Sequence, residues 1–337
     1  MNGLSPQKIL TTLFLGKCMD KTIKISVWGN EIPLTIVNDS LIQSLKKINV
    51  FDIANGHDIQ QSDIIYWIGG NGPSIKKYFP IWIKKNPIII IHWIGTDVLG
   101  EMKRSQQGGT RRLENFIMNS IFWLKMKRGG LVHLAVAPWL VDELSALHIP
   151  ATCLPITTID SRKLGTVDTQ AVKDIDFLSY VHFRRFNFYG GDKIVQLARR
   201  WQNYQFLIIC ADLTEIPPDL VENMPENVTL YPRVAWNNMP EFYQRSKFFI
   251  RYTNHDGLSL SVLEALYFNL EVLWTYDFPC THKIETLEKL SDSIPTLVNN
   301  WQPNYQGHEF VRENYSIVQW RAKFSAIMQK KFNVRLK

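Results

Sequence analysis

Cysteine is scarce, and the few cysteines present stand apart. Cys18, Cys153, Cys210 and Cys280 form no Cys-x-x-Cys pair and no disulfide-like spacing. That excludes a thiol redox motif and a disulfide-stapled scaffold, and the four read as small core residues in a reducing cytoplasm. Long apolar runs are also missing. Ile88-Ile89-Ile90-Ile91 and residues 116–124 are the longest candidates, and both fall well short of the ~20 residues of a spanning helix. No Gly-x-Gly-x-x-Gly follows any strand, which removes the dinucleotide dehydrogenases. Near the N-terminus, residues 9–15 have the apolarity of a short signal segment. Lys8 stands alone before them and Lys17 precedes Cys18, so they read as an ordinary strand or helix.

What is present describes a large globular chain. Its 337 residues are 45% hydrophobic and 20% charged, enough for a sizeable core and, by length, for two domains. The net charge of +7 is lopsided: residues 1–155 hold 17 basic against 11 acidic side chains, and the remainder 21 against 20. Within 101–130 the count is 7 against 2. A basic first half beside a neutral second half predicts different partners for the two. The basic charge is confined and no nucleic-acid recognition motif accompanies it, so no nucleic-acid partner is expected.

The order of elements predicts two doubly wound α/β domains. Strands are expected at 22–29, 63–68, 88–93, 131–137 and 151–156, with helices at 39–47, 75–85 and 139–147 between them. The apolar runs are continuous rather than alternating, as in parallel strands covered on both faces. Residues 157–175 are rich in Thr, Asp and Ser and read as a linker. A second series follows, with strands at 176–181, 206–210, 228–231, 248–251 and 270–274 and a helix at 191–200. Ligands of such sheets bind outside the carboxyl ends of the strands.

One such end carries the most informative segment, Asn254-His255-Asp256-Gly257-Leu258-Ser259-Leu260-Ser261-Val262-Leu263-Glu264-Ala265-Leu266. A strand closes at Arg251, a Gly turn follows and a helix opens. Main-chain N–H groups of Gly257, Leu258 and Ser259 would cradle a phosphate at that helix N-terminus. Glu264, eight residues after Asp256, would accept hydrogen bonds from vicinal hydroxyls such as those of a ribose.

This segment resembles the Glu-x7-Glu signature of the retaining GT-B glycosyltransferases of the group 1, or family 4, type, with Asp256 for the first Glu and Leu258-Ser259 for Phe-Gly. The resemblance implies that Asp256 contacts the donor sugar and Glu264 holds the nucleotide ribose. The family also has Gly-Arg at an earlier strand end and Lys-Gly a few residues later, both cations facing the leaving diphosphate. Arg185 matches that Arg and Gly191 the helix-entry Gly, while Gly190 stands where the Lys would be; Arg184, Lys193 and Arg251 are the candidates for the second charge. In the first half, Ile91-His92-Trp93-Ile94-Gly95-Thr96-Asp97 resembles the family's strand-end His. His92 would then reach the donor sugar or its phosphate, and Asp97 would either orient the acceptor or cap the next helix.

The implied fold is GT-B: two Rossmann-like domains facing across a cleft. Residues 1–156 form the acceptor-side domain, 157–175 the linker and 176–316 the nucleotide-sugar domain, with 317–337 a helix crossing back to the first. The implied reaction moves a sugar from a nucleotide-diphosphate sugar to a carbohydrate or lipid-linked acceptor, with retention and without a metal or other cofactor. Asp174-Ile175-Asp176 precedes its strand and so lies at the wrong end for metal binding. The basic, aromatic stretch 103–128 is either a dock on an anionic membrane, where lipid-linked acceptors reside, or a helix with solvated ends. A cytoplasmic enzyme, peripheral on the membrane, is expected. Two alternatives share the build: a nucleotide-sugar 2-epimerase and a non-catalytic nucleotide-sugar-binding protein.

Overall fold

The computed structural model describes residues 24–28, 49–52, 62–69, 87–105, 130–157, 159–182, 185–210, 216 and 218–332. They fall into two compact units, one within Met1–Thr157 and Ile317–Lys337, the other Thr158–Ser316. The helices expected at 39–47 and 75–85, and most of the basic stretch 103–128, lie outside the described residues.

The first unit is built on a parallel sheet. Its elements are β1 (Lys24–Trp28), β2 (Asn49–Asp52), β3 (Ile64–Ile68), β4 (Ile88–Trp93), α1 (Thr96–Ser105), β5 (Leu131–Ala135), α2 (Pro138–Ala146) and β6 (Thr152–Cys153). The sheet order is β2-β1-β3-β4-β5-β6. Strands β3 and β5 are buried at every residue and β4 at all but its first, so their unbroken apolar runs are covered on both faces. Four successive isoleucines suit β4 because branching at Cβ favours extended backbone. Proline at the first turn of α2 fixes φ where no N–H partner is needed. The strand expected at 151–156 shrinks to two residues, and β2 escaped the sequence reading because four residues carry little period.

The second unit continues with α3 (Ser161–Leu164), β7 (Ile175–Val181), α4 (Gly191–Arg200), β8 (Phe206–Cys210), α5 (Pro218–Glu222), β9 (Val228–Tyr231), α6 (Met239–Arg245), β10 (Ser246–Arg251), α7 (Leu260–Tyr267), β11 (Glu271–Trp274), β12 (His282–Lys283), α8 (Leu287–Asn299) and α9 (Tyr305–Asn314). A 3-10 turn spans Trp236–Asn238 before α6. The chain then returns to the first unit through α10 (Ile317–Phe332), where buried Trp320 and Phe324 stack at 5.1 Å and Phe324 lies 6.0 Å from Tyr66 of β3.

The second sheet runs β12-β11-β10-β7-β8-β9, all parallel. A ladder of rings locks its centre: Phe177 on β7 stands in register with Phe206 on β8 and Phe248 on β10, with centroids 4.8 Å and 5.1 Å away. From β7 the chain winds one way to β8 and β9; from β10 it winds the other way to β11 and β12. Winding reverses between β7 and β10, which opens a crevice at their carboxyl ends.

The segment read as a linker, 157–175, is packed against this unit instead. Asp160 caps α3 through the Arg162 N–H, Leu164 is buried, Tyr267 donates to the Gly165 carbonyl at 3.0 Å, and the Asp168 N–H donates to Gln244 at 2.9 Å. Polar composition alone does not separate a free connector from one held by hydrogen bonds to the fold.

Candidate functional site

Arg251 closes β10 at the crevice and is 8% exposed. Its Nε donates to Asp256 Oδ2 at 2.8 Å, its Nη1 donates to the Tyr180 carbonyl at 3.1 Å, and its guanidinium lies 4.6 Å from the centre of the Tyr189 ring. Burial pulls the Arg251 pKa down, yet the charge and hydrogen bond of Asp256, with Tyr189 and Tyr180, outweigh it and leave the group above its ordinary value. Arg251 is therefore a permanent cation, held flat and walled from solvent.

The loops that follow β7 and β10 form one body. The Asn254 N–H donates to the Phe188 carbonyl at 3.3 Å. Gly190 has φ of +74°, and a Cβ there would stand 2.1 Å from the Tyr252 carbonyl oxygen, so only glycine permits this approach. Thr253 Oγ1 donates to the His255 carbonyl, Thr275 Oγ1 donates to the Thr253 carbonyl, and the Asp256 N–H donates to Tyr276 Oη. These bonds fix the turn that leads into α7. Among the described residues, the N–H groups of Gly257, Leu258 and Ser259 have no protein acceptor. Free donors at a helix entry favour an anion.

Glu264, on α7, is 3% exposed. Trp236 Nε1 donates to its Oε1 at 2.8 Å and Tyr243 Oη donates to its Oε2 at 3.0 Å. Tyr180 joins the groups electrostatically. Burial raises its pKa, while Arg233 and Arg251 lower it and Cys210 and Glu264 raise it.

The other cations sit further out. Arg185 is exposed, 5.6 Å from the centre of the Phe188 ring, and its charge reaches Tyr189. Lys193 pairs with Asp192 at 3.2 Å on the first turn of α4, which Gly191 opens. Arg184 lies outside the described residues. Sequence reasoning missed Trp236, Tyr243, Tyr180, Tyr189 and Arg233. Tyr180, Tyr189, Arg233 and Trp236 share one signal, a polar aromatic or cation at or just beyond the carboxyl end of a strand, while Tyr243 sits on α6 ahead of β10.

Two first-unit candidates are engaged within the core. His92 is fully buried, with Nδ1 2.9 Å from Tyr66 Oη and Nε2 2.7 Å from the Leu154 carbonyl. The carbonyl only accepts, so Nε2 carries the proton and Nδ1 accepts from Tyr66. Burial drives its pKa down to about 4 against the pull of Leu154. Both nitrogens are engaged inside the core, by Tyr66 and the Leu154 carbonyl. Asp97 is 1% exposed, and its carboxylate accepts from the N–H groups of Ile94, Gly95 and Val98 at 2.8–3.2 Å. It caps the entry to α1, one of the two roles expected of it.

Among the described residues, no group of three or more His, Cys, Asp or Glu is placed to hold a metal ion, and no helix is long and apolar enough to cross a membrane.

No family model matches the sequence, and no curated protein does either. Solved structures do. Sucrose-phosphate synthase from Thermosynechococcus elongatus superposes with a TM-score of 0.72 at 10% identity, over 93% of this chain and 100% of that one. Anabaena HepE in complex with UDP and glucose gives 0.67 at 9% identity, over 91% and 100%. A mutant of Staphylococcus aureus TarM, solved with fondaparinux, alpha-GlcNAc-glycerol and UDP, gives 0.56 at 15% identity, over 81% of this chain. The chain spans about half of TarM, 56% of its length. These neighbours are GT-B glycosyltransferases, and the chain has their fold.

Proposed function

We propose that the chain is a retaining hexosyltransferase that moves a sugar from a nucleotide-diphosphate sugar to a carbohydrate or lipid-linked acceptor without a metal. One observation carries the reading. At the crevice where the second sheet reverses its winding, a buried cation closes β10, open main-chain donors lie on the turn that follows it, and a buried carboxylate lies on the next helix. That set matches the parts of a nucleoside diphosphate: N–H groups and Arg251 for phosphate oxygens, Glu264 for ribose hydroxyls.

In the proposed step the bond between the sugar C1 and the diphosphate oxygen breaks. The acceptor oxygen bonds to C1 on the same face, and its proton passes to the departing diphosphate. Fixed donors aimed at the leaving group stabilise the charge that develops on it. No protein base is required. Residues 103–128 would bring the enzyme to an anionic membrane surface on the cytoplasmic side, a reading supported by their sequence alone.

The deciding experiment is a thermal-shift panel of UDP, GDP, ADP and their sugars on wild type and Glu264→Ala. UDP goes first because HepE and TarM were solved with it. A ligand that binds only the native state raises the melting temperature. One nucleotide should shift wild type, and the shift should shrink in the variant, whose affinity falls about ten- to a hundredfold. No shift with any nucleotide rejects the reading. Vesicle flotation with and without anionic lipid tests the membrane role, and absence of binding at low salt rejects it.

A further inference from the structure

We propose that Arg251 is the cation that grips the diphosphate in this chain, and that Asp256 serves as its positioning partner instead of touching the donor sugar. The assignment rests on the nucleotide-sugar reading above and changes the division of labour within it.

A guanidinium has five N–H donors. In Arg251 one on Nε is given to Asp256 and one on Nη1 to Tyr180, while the other three have no acceptor among the described residues. The side chain is nonetheless only 9% exposed. A buried cation with open donors calls for an acceptor from outside the protein, one with several oxygens on a rigid frame. Arg251 is also tied, through Asp256, to the turn whose next three N–H groups are open. Side-chain donors at the end of β10 and main-chain donors on the turn that follows are therefore linked, and a diphosphate offers enough oxygens for both.

The remaining cations are less suited. Arg185 is exposed, and Lys193 is half-exposed and paired with Asp192. Position 190 is closed to lysine by the approach of Tyr252. Asp256, for its part, is committed. Oδ2 takes the Arg251 Nε–H, and its own N–H is held by Tyr276. A carboxylate used this way fixes the guanidinium plane across the Tyr189 ring.

Calorimetry separates the roles. Binding is measured for whichever of UDP, GDP and ADP wild type prefers, for the parent nucleoside and for the glucose conjugate. Arg251→Lys keeps the charge and the pairing but loses the fork. It should weaken the diphosphate at least tenfold and leave the nucleoside within twofold. Asp256→Asn should change diphosphate and glucose-conjugate affinities by a common factor, within twofold of each other. The double variant Arg251→Gln with Asp256→Asn removes both charges together, which spares the fold an unpaired buried ion, and should lose the same diphosphate preference. An Arg251→Lys protein with wild-type preference for diphosphate over nucleoside overturns the assignment. So does an Asp256→Asn protein that loses tenfold on the glucose conjugate alone. Wild type that binds no diphosphate rejects the nucleotide-sugar reading itself.

Discussion

Trp236 and Glu264 meet at 2.8 Å, indole N–H to carboxylate oxygen, across 28 residues of sequence. With Tyr243 on the second oxygen, the pairing keeps a buried negative charge in one orientation. A hydrogen bond to a charged group contributes about 1.5–3 kcal/mol. Trp236→Phe should lower the stability of the second unit by about that amount in urea unfolding. A double-mutant cycle with Glu264→Gln should give a coupling of about 0.5–3 kcal/mol. Zero coupling would mean the two side chains do not act together in solution.

His92 sets an acid limit for the first unit. Its folded pKa of about 4 lies below the ordinary 6.5, so the unfolded chain binds the proton more readily. The stabilisation is therefore complete above pH 6.5 and is lost as pH falls toward 4. A shift of this size corresponds to roughly 3 kcal/mol. Thermal unfolding between pH 4 and 7 should show the loss in wild type and a flatter profile in His92→Gln. Identical profiles would contradict the buried neutral imidazole.

Asp97→Ala should cost about 1–2 kcal/mol, the usual loss when a helix entry is deprived of its side-chain acceptor. Assayed below its melting temperature, the variant should turn over within about threefold of wild type, because three main-chain N–H groups occupy the carboxylate. A hundredfold fall in turnover with the fold intact would give Asp97 back to the chemistry.

Much of the second unit was legible because its strands are short apolar runs between turn residues. Phe206-Leu207-Ile208-Ile209-Cys210 is five residues long, the length of a buried strand rather than of a helix. The turn at Gly257 and the helix after it were legible for the same reason: glycine and periodicity are local. Partners are not. Nothing in a linear pattern ties Trp236 to Glu264, or tells that Tyr66 on one strand will take up the ring of His92 on the next. His92 drew notice through its resemblance to a strand-end His, and resemblance carries no information on burial. The docking of segment 157–175 is not legible because its contacts, to Gln244 and Tyr267, lie 76 and 102 residues away.

Gly190 also constrains substitution. Neither its positive φ nor the 2.1 Å gap to the Tyr252 carbonyl admits a lysine there. A side chain at 190 would need the loop after β10 rebuilt at the same time. Relatives of this chain should therefore keep the glycine and that loop, or lose them, as a pair.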